Sequence, residues 1–178
     1  MDRRKKVLWQ WIVIIGSVIL YWGSAQTITT VQVQAYMQGF WNGSIHLPVP
    51  IAVELRSGAQ LQTSTLVDRK AVMLSTTGTA TALFQNLNSG NYWIVVRCGS
   101  HLPVASSTAV AISSGATISW DFRNPANVYN GNFALVQVGN SYALRAADAN
   151  NDQGVNITDV LQVLQNNGLN NPGQVPEP

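Results

Sequence analysis

Residues 27–38 read TITTVQVQAYMQ. From Val31 onward Val31, Val33, Ala35 and Met37 alternate with Gln32, Gln34, Tyr36 and Gln38. Successive side chains of an extended chain point to opposite faces, so this spacing lays four apolar groups along one side of a strand. A helix would scatter the same four residues around its axis. The stretch therefore predicts a strand with one face in a core.

The same period of two recurs along the chain. Ile51, Val53 and Leu55 alternate with Ala52, Glu54 and Arg56, and Ile118, Trp120 and Phe122 with Ser119 and Asp121. Tyr92, Ile94, Val96 and Cys98 form another such row. Turn-forming clusters separate the rows: WNGS (41–44), RSGAQ (56–60), NLNSGN (86–91), SSGA (113–116) and VGNS (138–141). NFALVQV and SYALRA read as a strand pair joined across GNS, and no long helical period precedes residue 158. These signals predict an all-β fold, an antiparallel β-sandwich of about seven to nine strands over 26–146.

Composition sets the surroundings. Of 178 residues only 10% are charged, while uncharged polar residues are abundant, as in extracellular β-rich proteins. Formal net charge is +2, but four of the ten basic residues cluster at positions 3–6. Those four precede an apolar run, Val7–Trp22, and a small-residue site, Gly23-Ser24-Ala25. That order is expected of a secretory signal peptide over 1–25, and the competing reading is a retained membrane anchor. Cleavage after Ala25 leaves Arg56, Arg69, Lys70, Arg97, Arg123 and Arg145 against seven acidic residues. No basic stripe for nucleic acid remains. The expected location is outside the cell or on its surface, with the membrane involved only through the signal peptide or a lost C-terminal anchor. Cys98 is the single cysteine, so an intrachain disulfide is excluded, and its place in an apolar row suggests a small buried hydrophobe.

Within this frame, TTGTATALFQNLNSGNYWIVV (76–96) resembles the carboxypeptidase-regulatory, or transthyretin-like, sandwich family. Phe84, Leu87, Gly90 and Tyr92 match its Leu-x-x-Gly-x-Tyr passage between strands, with Gly90 expected to turn the hairpin at positive φ. The resemblance covers about half of the sandwich and implies a non-catalytic appendage of a secreted or surface protein.

Three of the eight acidic residues fall in DANNDQGVNITD (148–159). A hard cation such as Ca²⁺ gathers six to eight oxygens, most readily from one short loop. Asp148, Asn150 and Asp152 offer side-chain oxygens at alternate places and Gly154 a backbone carbonyl. Asn156 can act through water, and Asp159 closes the shell at the twelfth place while opening a helix. Two places depart from the EF-hand pattern: the last ligand is Asp rather than Glu, and Gln153 stands where Gly is usual. The segment 147–168, a calcium loop followed by the helical period of Val160, Leu161, Val163 and Leu164, resembles one repeat of a type I dockerin. A complete dockerin carries two repeats, so cohesin binding does not follow from one. The tail 169–178 is Pro- and Asn-rich, and its VPEP resembles the start of a PEP-type C-terminal sorting signal.

Other constellations are weak. His46 and His101 share the tetrapeptide HLPV but neither has a second ligand at chelating spacing, and both read as loop histidines. Glu54, on an outward strand face, is the only Glu before the tail, and no nucleophile elbow, phosphate loop or CxxC is present. Trp41 and Trp93 are candidate exposed platforms for stacking on a sugar, whereas Trp120 reads as core. The expected function is that of a secreted, non-catalytic, calcium-binding structural module. It would attach to other protein subunits or surface proteins, with the strand 27–38 as a candidate for addition to a neighbour's sheet. The alternative is an extracellular carbohydrate-binding module, with glycans as partners.

The loop generates a direct expectation. A ligand that binds only the folded state stabilises it by about 2.7 kcal/mol at a hundredfold excess over Kd. Extracellular calcium modules often bind at about 10⁻⁴–10⁻³ M, and Gln153 places this one at the weak end. Millimolar Ca²⁺ should raise the melting temperature by a few degrees, and Asp148→Ala or Asp159→Ala should abolish the gain. Gln153→Gly should tighten binding by relaxing the turn. Melting curves that coincide in calcium and in chelator would rule out a metal loop.

Overall fold

The computed structural model describes residues 26–99, 101–146 and 158–159. The segment expected to be a signal peptide, most of the expected calcium loop and its helix, and the tail lie outside the described residues. Among the described residues ten strands form: β1 (Ile28–Gln34), β2 (Val49–Ser57), β3 (Thr65–Leu74), β4 (Thr79–Gln85), β5 (Gly90–Arg97), β6 (Val104–Ala105), β7 (Val110–Ile112), β8 (Thr117–Asp121), β9 (Leu135–Val138) and β10 (Ser141–Leu144). A single helical turn, α1 (Gly131–Ala134), precedes β9, so the expected strand NFALVQV begins as helix.

The strands assemble into three sheets in an all-β, sandwich-like fold. One has the order β4-β1-β8, a larger one β3-β2-β5-β6 with β7 also on β5, and β9 and β10 form a hairpin. One continuous apolar cluster draws Val31 and Val33 from β1, Phe84 from β4, Ile51, Val53 and Leu55 from β2, and Ile94 and Val96 from β5. The period-two rows are thus the inner faces of two sheets sharing a core. Val31, Val33, Ala35 and Met37 are all without exposure to water. Among the described strands every ladder is antiparallel except β1–β8, which is parallel from Thr30↔Thr117 to Gln34↔Asp121.

Two expectations are corrected. β1 is not a free strand: it is hydrogen-bonded to β4 on one side and β8 on the other, so it has no edge to donate. Gly90 does not turn the β4–β5 connection at positive φ; Asn86 does, at φ 52°. An amide side chain tolerates the left-handed region better than most non-glycine residues. Gly90 instead opens β5, close under the Tyr92 ring, whose hydroxyl donates to Asn88 O at 2.7 Å.

A contrast between two glycines tests the packing. At Gly78 (φ +72°) an added Cβ would lie 2.5 Å from Cε1 of Tyr36 and 2.6 Å from Ala35 O. At Gly139 (φ +62°) it would meet nothing within 4 Å. Gly78→Ala should therefore cost roughly 2–4 kcal/mol, strain plus overlap, and Gly139→Ala about 1 kcal/mol, strain alone, in urea unfolding. Equal losses would contradict the close approach of the 75–79 turn to β1.

Candidate functional site

Glu54 lies on the outer face of β2, as its place between Val53 and Leu55 requires, yet it has no exposure to water. Strand geometry explains why. Arg69 on β3 stands directly opposite Glu54. Arg97 on β5 is its diagonal neighbour, two residues beyond the Val95 that pairs with it. Arg56 lies two residues further along β2 and so on the same face, next to a β-bulge at Leu55/Arg56. Arg69 Nη2 reaches Glu54 Oε1 at 2.5 Å, Arg97 Nε the same oxygen at 2.8 Å, and Arg56 Nη1 reaches Oε2 at 3.3 Å. A buried carboxylate is tolerated only with such partners. The three arginines leave an excess of two positive charges around it.

This charged knot borders a cleft of about 420 Å³. Arg56 and Arg97, the amide of Gln62, the ring of Tyr129, and Val95 with Ala105 line it. A second cleft of about 440 Å³ shares Leu61, Gln62 and Tyr129 with the first and adds Trp93. Gln62 Nε2 donates to the Tyr129 hydroxyl, and both residues line the two clefts. Arg56 is further tied by its Nε to Ser64 Oγ at 3.1 Å and by Nη2 to Ser64 O at 2.9 Å. Arg97 gives only its Nε; both of its Nη groups lack a hydrogen-bond partner among the described residues.

The two tryptophans expected to be exposed are not. Trp93 does point away from Ile94, but it is 7% exposed: its Nε1 donates to Gly58 O at 3.0 Å, and Tyr129 meets its ring edge-on at 6.3 Å. Trp41 is half-buried and stacks on Tyr36 with ring centroids 3.8 Å apart. Trp120, expected in the core, is half-buried against it and donates Nε1 to Asn127 O at 3.0 Å. Of the proposed calcium ligands, Asp148, Asn150, Asp152, Gly154 and Asn156 lie outside the described residues. Asp159 is described, 3% exposed and in helical conformation.

His46 and His101, read as loop histidines, are both buried. His46 Nε2 accepts from Met37 N at 3.0 Å, so in the neutral ring Nδ1 carries the proton. His101 Nε2 lies 2.9 Å from Gln38 O, a carbonyl, and therefore donates. Phe40 contacts both rings, at 6.3 Å from His46 and 5.9 Å from His101. Each Nδ1 is buried without a partner among the described residues. Burial holds both imidazoles below their ordinary pKa, and the charge of His101 would further oppose that of His46. Elsewhere, burial pushes the Cys98 thiol up, away from a reactive thiolate. Burial alone would raise Asp121, but Arg123 bonds and charge prevail and hold it low.

Compared with known proteins, the chain matches no family model, no curated protein and no solved structure.

The histidine pair makes stability pH-dependent. Both folded pKa values are depressed, so the unfolded chain binds more protons below its value of about 6.5. The stabilisation is complete above that pH and is lost on acidification between 6.5 and the lower folded values. Charging His46 would also place a second N–H against the Met37 donor. Unfolding free energy should fall below pH 6.5 by up to about 1.4 kcal/mol per pH unit for each proton taken up. His46→Gln should flatten part of that slope. A curve level from pH 7 to 5 would contradict the buried neutral pair.

Proposed function

We infer that this chain is a secreted, non-catalytic module that attaches to further copies and partner subunits at a surface by strand addition, with a calcium ion fastening its C-terminal end. The observation that carries this reading is β3. Among the described residues it is the longest strand, ten residues, and its ladder runs to β2 on one side only. Leu66, Val67 and Met73 on it are 47%, 45% and 59% exposed. An open edge of this length offers unpaired backbone groups to an extended segment, and the Asp68–Lys70 ion pair would help to set register. A non-catalytic role is supported by the carboxylates: Glu54 is sealed among arginines, and Asp68 and Asp121 are ion-paired. The dockerin-like spacing of 148–159 and the buried Asp159 support the calcium part. The sandwich resemblance of 76–96 points the same way.

A second reading, carbohydrate binding, is favoured by the two adjoining clefts around the Gln62–Tyr129 bridge, which together suit an extended chain of sugar rings.

The β3 edge is tested with the double variant Val67→Lys, Met73→Lys. Both sites are exposed, so its stability should stay within about 0.5 kcal/mol of the wild type. Wild-type protein should form concentration-dependent oligomers in light scattering and elongated particles in electron microscopy, and the variant should remain monomeric. Monodisperse wild-type monomers at high concentration would overturn strand addition.

A further inference from the structure

We propose that the paired clefts bind an acidic saccharide, a uronate ring seated on Arg97 and Arg56 with the next ring against Tyr129. This rests on the carbohydrate reading of the clefts and names its substrate class. Three features carry it. First, Glu54 fixes the Arg97 guanidinium through Nε at 2.8 Å and leaves the two Nη groups without a partner among the described residues, at a cleft that Arg97 lines. A planar fork with its outer donors free matches a carboxylate in two parallel hydrogen bonds. Second, no acidic residue lines the cleft among the described residues, and the local charge of three arginines against one glutamate favours an anion. Third, Val95 and Ala105 contribute apolar surface while Gln62 and Tyr129 contribute polar groups. That mixture suits a ring with a C–H face and hydroxyl edges better than a bare inorganic ion. The second cleft shares Gln62 and Tyr129 with the first, so a linear glycan passing these two residues would occupy both.

The experiment is calorimetric titration of the full chain with a galacturonate trimer, the neutral galactose trimer, and a short neutral peptide with a free C-terminal carboxylate. The acidic trimer should bind about tenfold or more tightly than the neutral one, and added salt should weaken it. Arg97→Gln should remove that preference. Because Arg97 also supports Glu54, Gln62→Glu serves as the second variant. It places a carboxylate at the exposed Gln62 position without touching Glu54, and should abolish acidic-trimer binding at unchanged melting temperature. Equal binding of both trimers would overturn the acidic assignment and leave the carbohydrate reading standing. Binding of neither would overturn both. Binding of the peptide alone would overturn the saccharide, and undiminished binding by Gln62→Glu would overturn the location.

Discussion

The backbone from Ile28 to Gln38 is held from both sides, and the rest of the molecule is arranged around it. Along β1 the ladder bonds run to β4 and to β8. Past the strand the bonding continues: Ala35 N donates to Gly78 O, Leu144 N to Tyr36 O, and Gln38 N to Leu144 O. Phe122 N donates to Gln34 O, and Arg123 reaches the side chains of Gln34 and Tyr36. Met37 N is taken by His46 and Gln38 O by His101. One segment therefore ties together both ends of the described sandwich. Most of its partners are distant in sequence, so loop-closure entropy must be met before these contacts form, as in other β-rich folds that gain their stability late.

This constraint explains how the sequence could be read correctly and still mislead. The alternation Val31, Val33, Ala35, Met37 identified a strand and its inner face, because side-chain direction follows from local geometry alone. Whether that strand was central or at an edge depended on partners that leave no local trace. A polar outer row of Gln32 and Gln34 suits a strand facing water on one side, whatever lies beside it. The longest of the edge strands among the described residues is β3, whose Asp68-Arg69-Lys70 run is the kind of charge that guards edges. The turn at 86–91 was similarly legible as a turn, but the positive φ passed from the expected Gly90 to Asn86.

The outer face of the large sheet was the part least legible. Glu54, Trp93 and Val95 occupy outward positions and period-two reasoning assigns them to solvent, yet all three are buried. The signal was present in a diluted form: one glutamate, and three arginines on three strands. Their convergence depends on registers fixed partly by the bulge at Leu55/Arg56, which spacing in sequence does not reveal. Once the registers are set, the carboxylate and guanidinium groups specify one another. A shift by one residue on either neighbour would turn an arginine to the core side and leave Glu54 with an unbalanced charge. The knot therefore acts as a register lock for β3, β2 and β5, and the fixed Arg97 fork is its by-product. The histidines were missed for a related reason, since Pro and polar neighbours in HLPV mark a loop without saying that its imidazole turns inward.

The same central segment also holds the chain at Ala146, the last described residue of the sandwich. Ala146 N donates to the Gln38 side chain at 2.9 Å, and Ala146 bridges His101, whose ring lies on Gln38 O. Asp148 follows two residues later in the sequence, and Asp159, the last of the proposed ligands, is shielded from water. A metal bound by 148–159, as proposed, would thus act on a chain whose entry is already pinned at Ala146. Such an ion stabilises the whole domain only to the extent that its ligands are ordered in the folded state and not in the unfolded one. Pinning one end lowers the entropy still to be lost when the ligands gather, which matters most for a loop with Gln153 in a place that prefers glycine. Linkage makes the relation mutual: any change that loosens Gln38 from Ala146 would weaken the ion, and the ion would in turn hold the end of the sandwich closed.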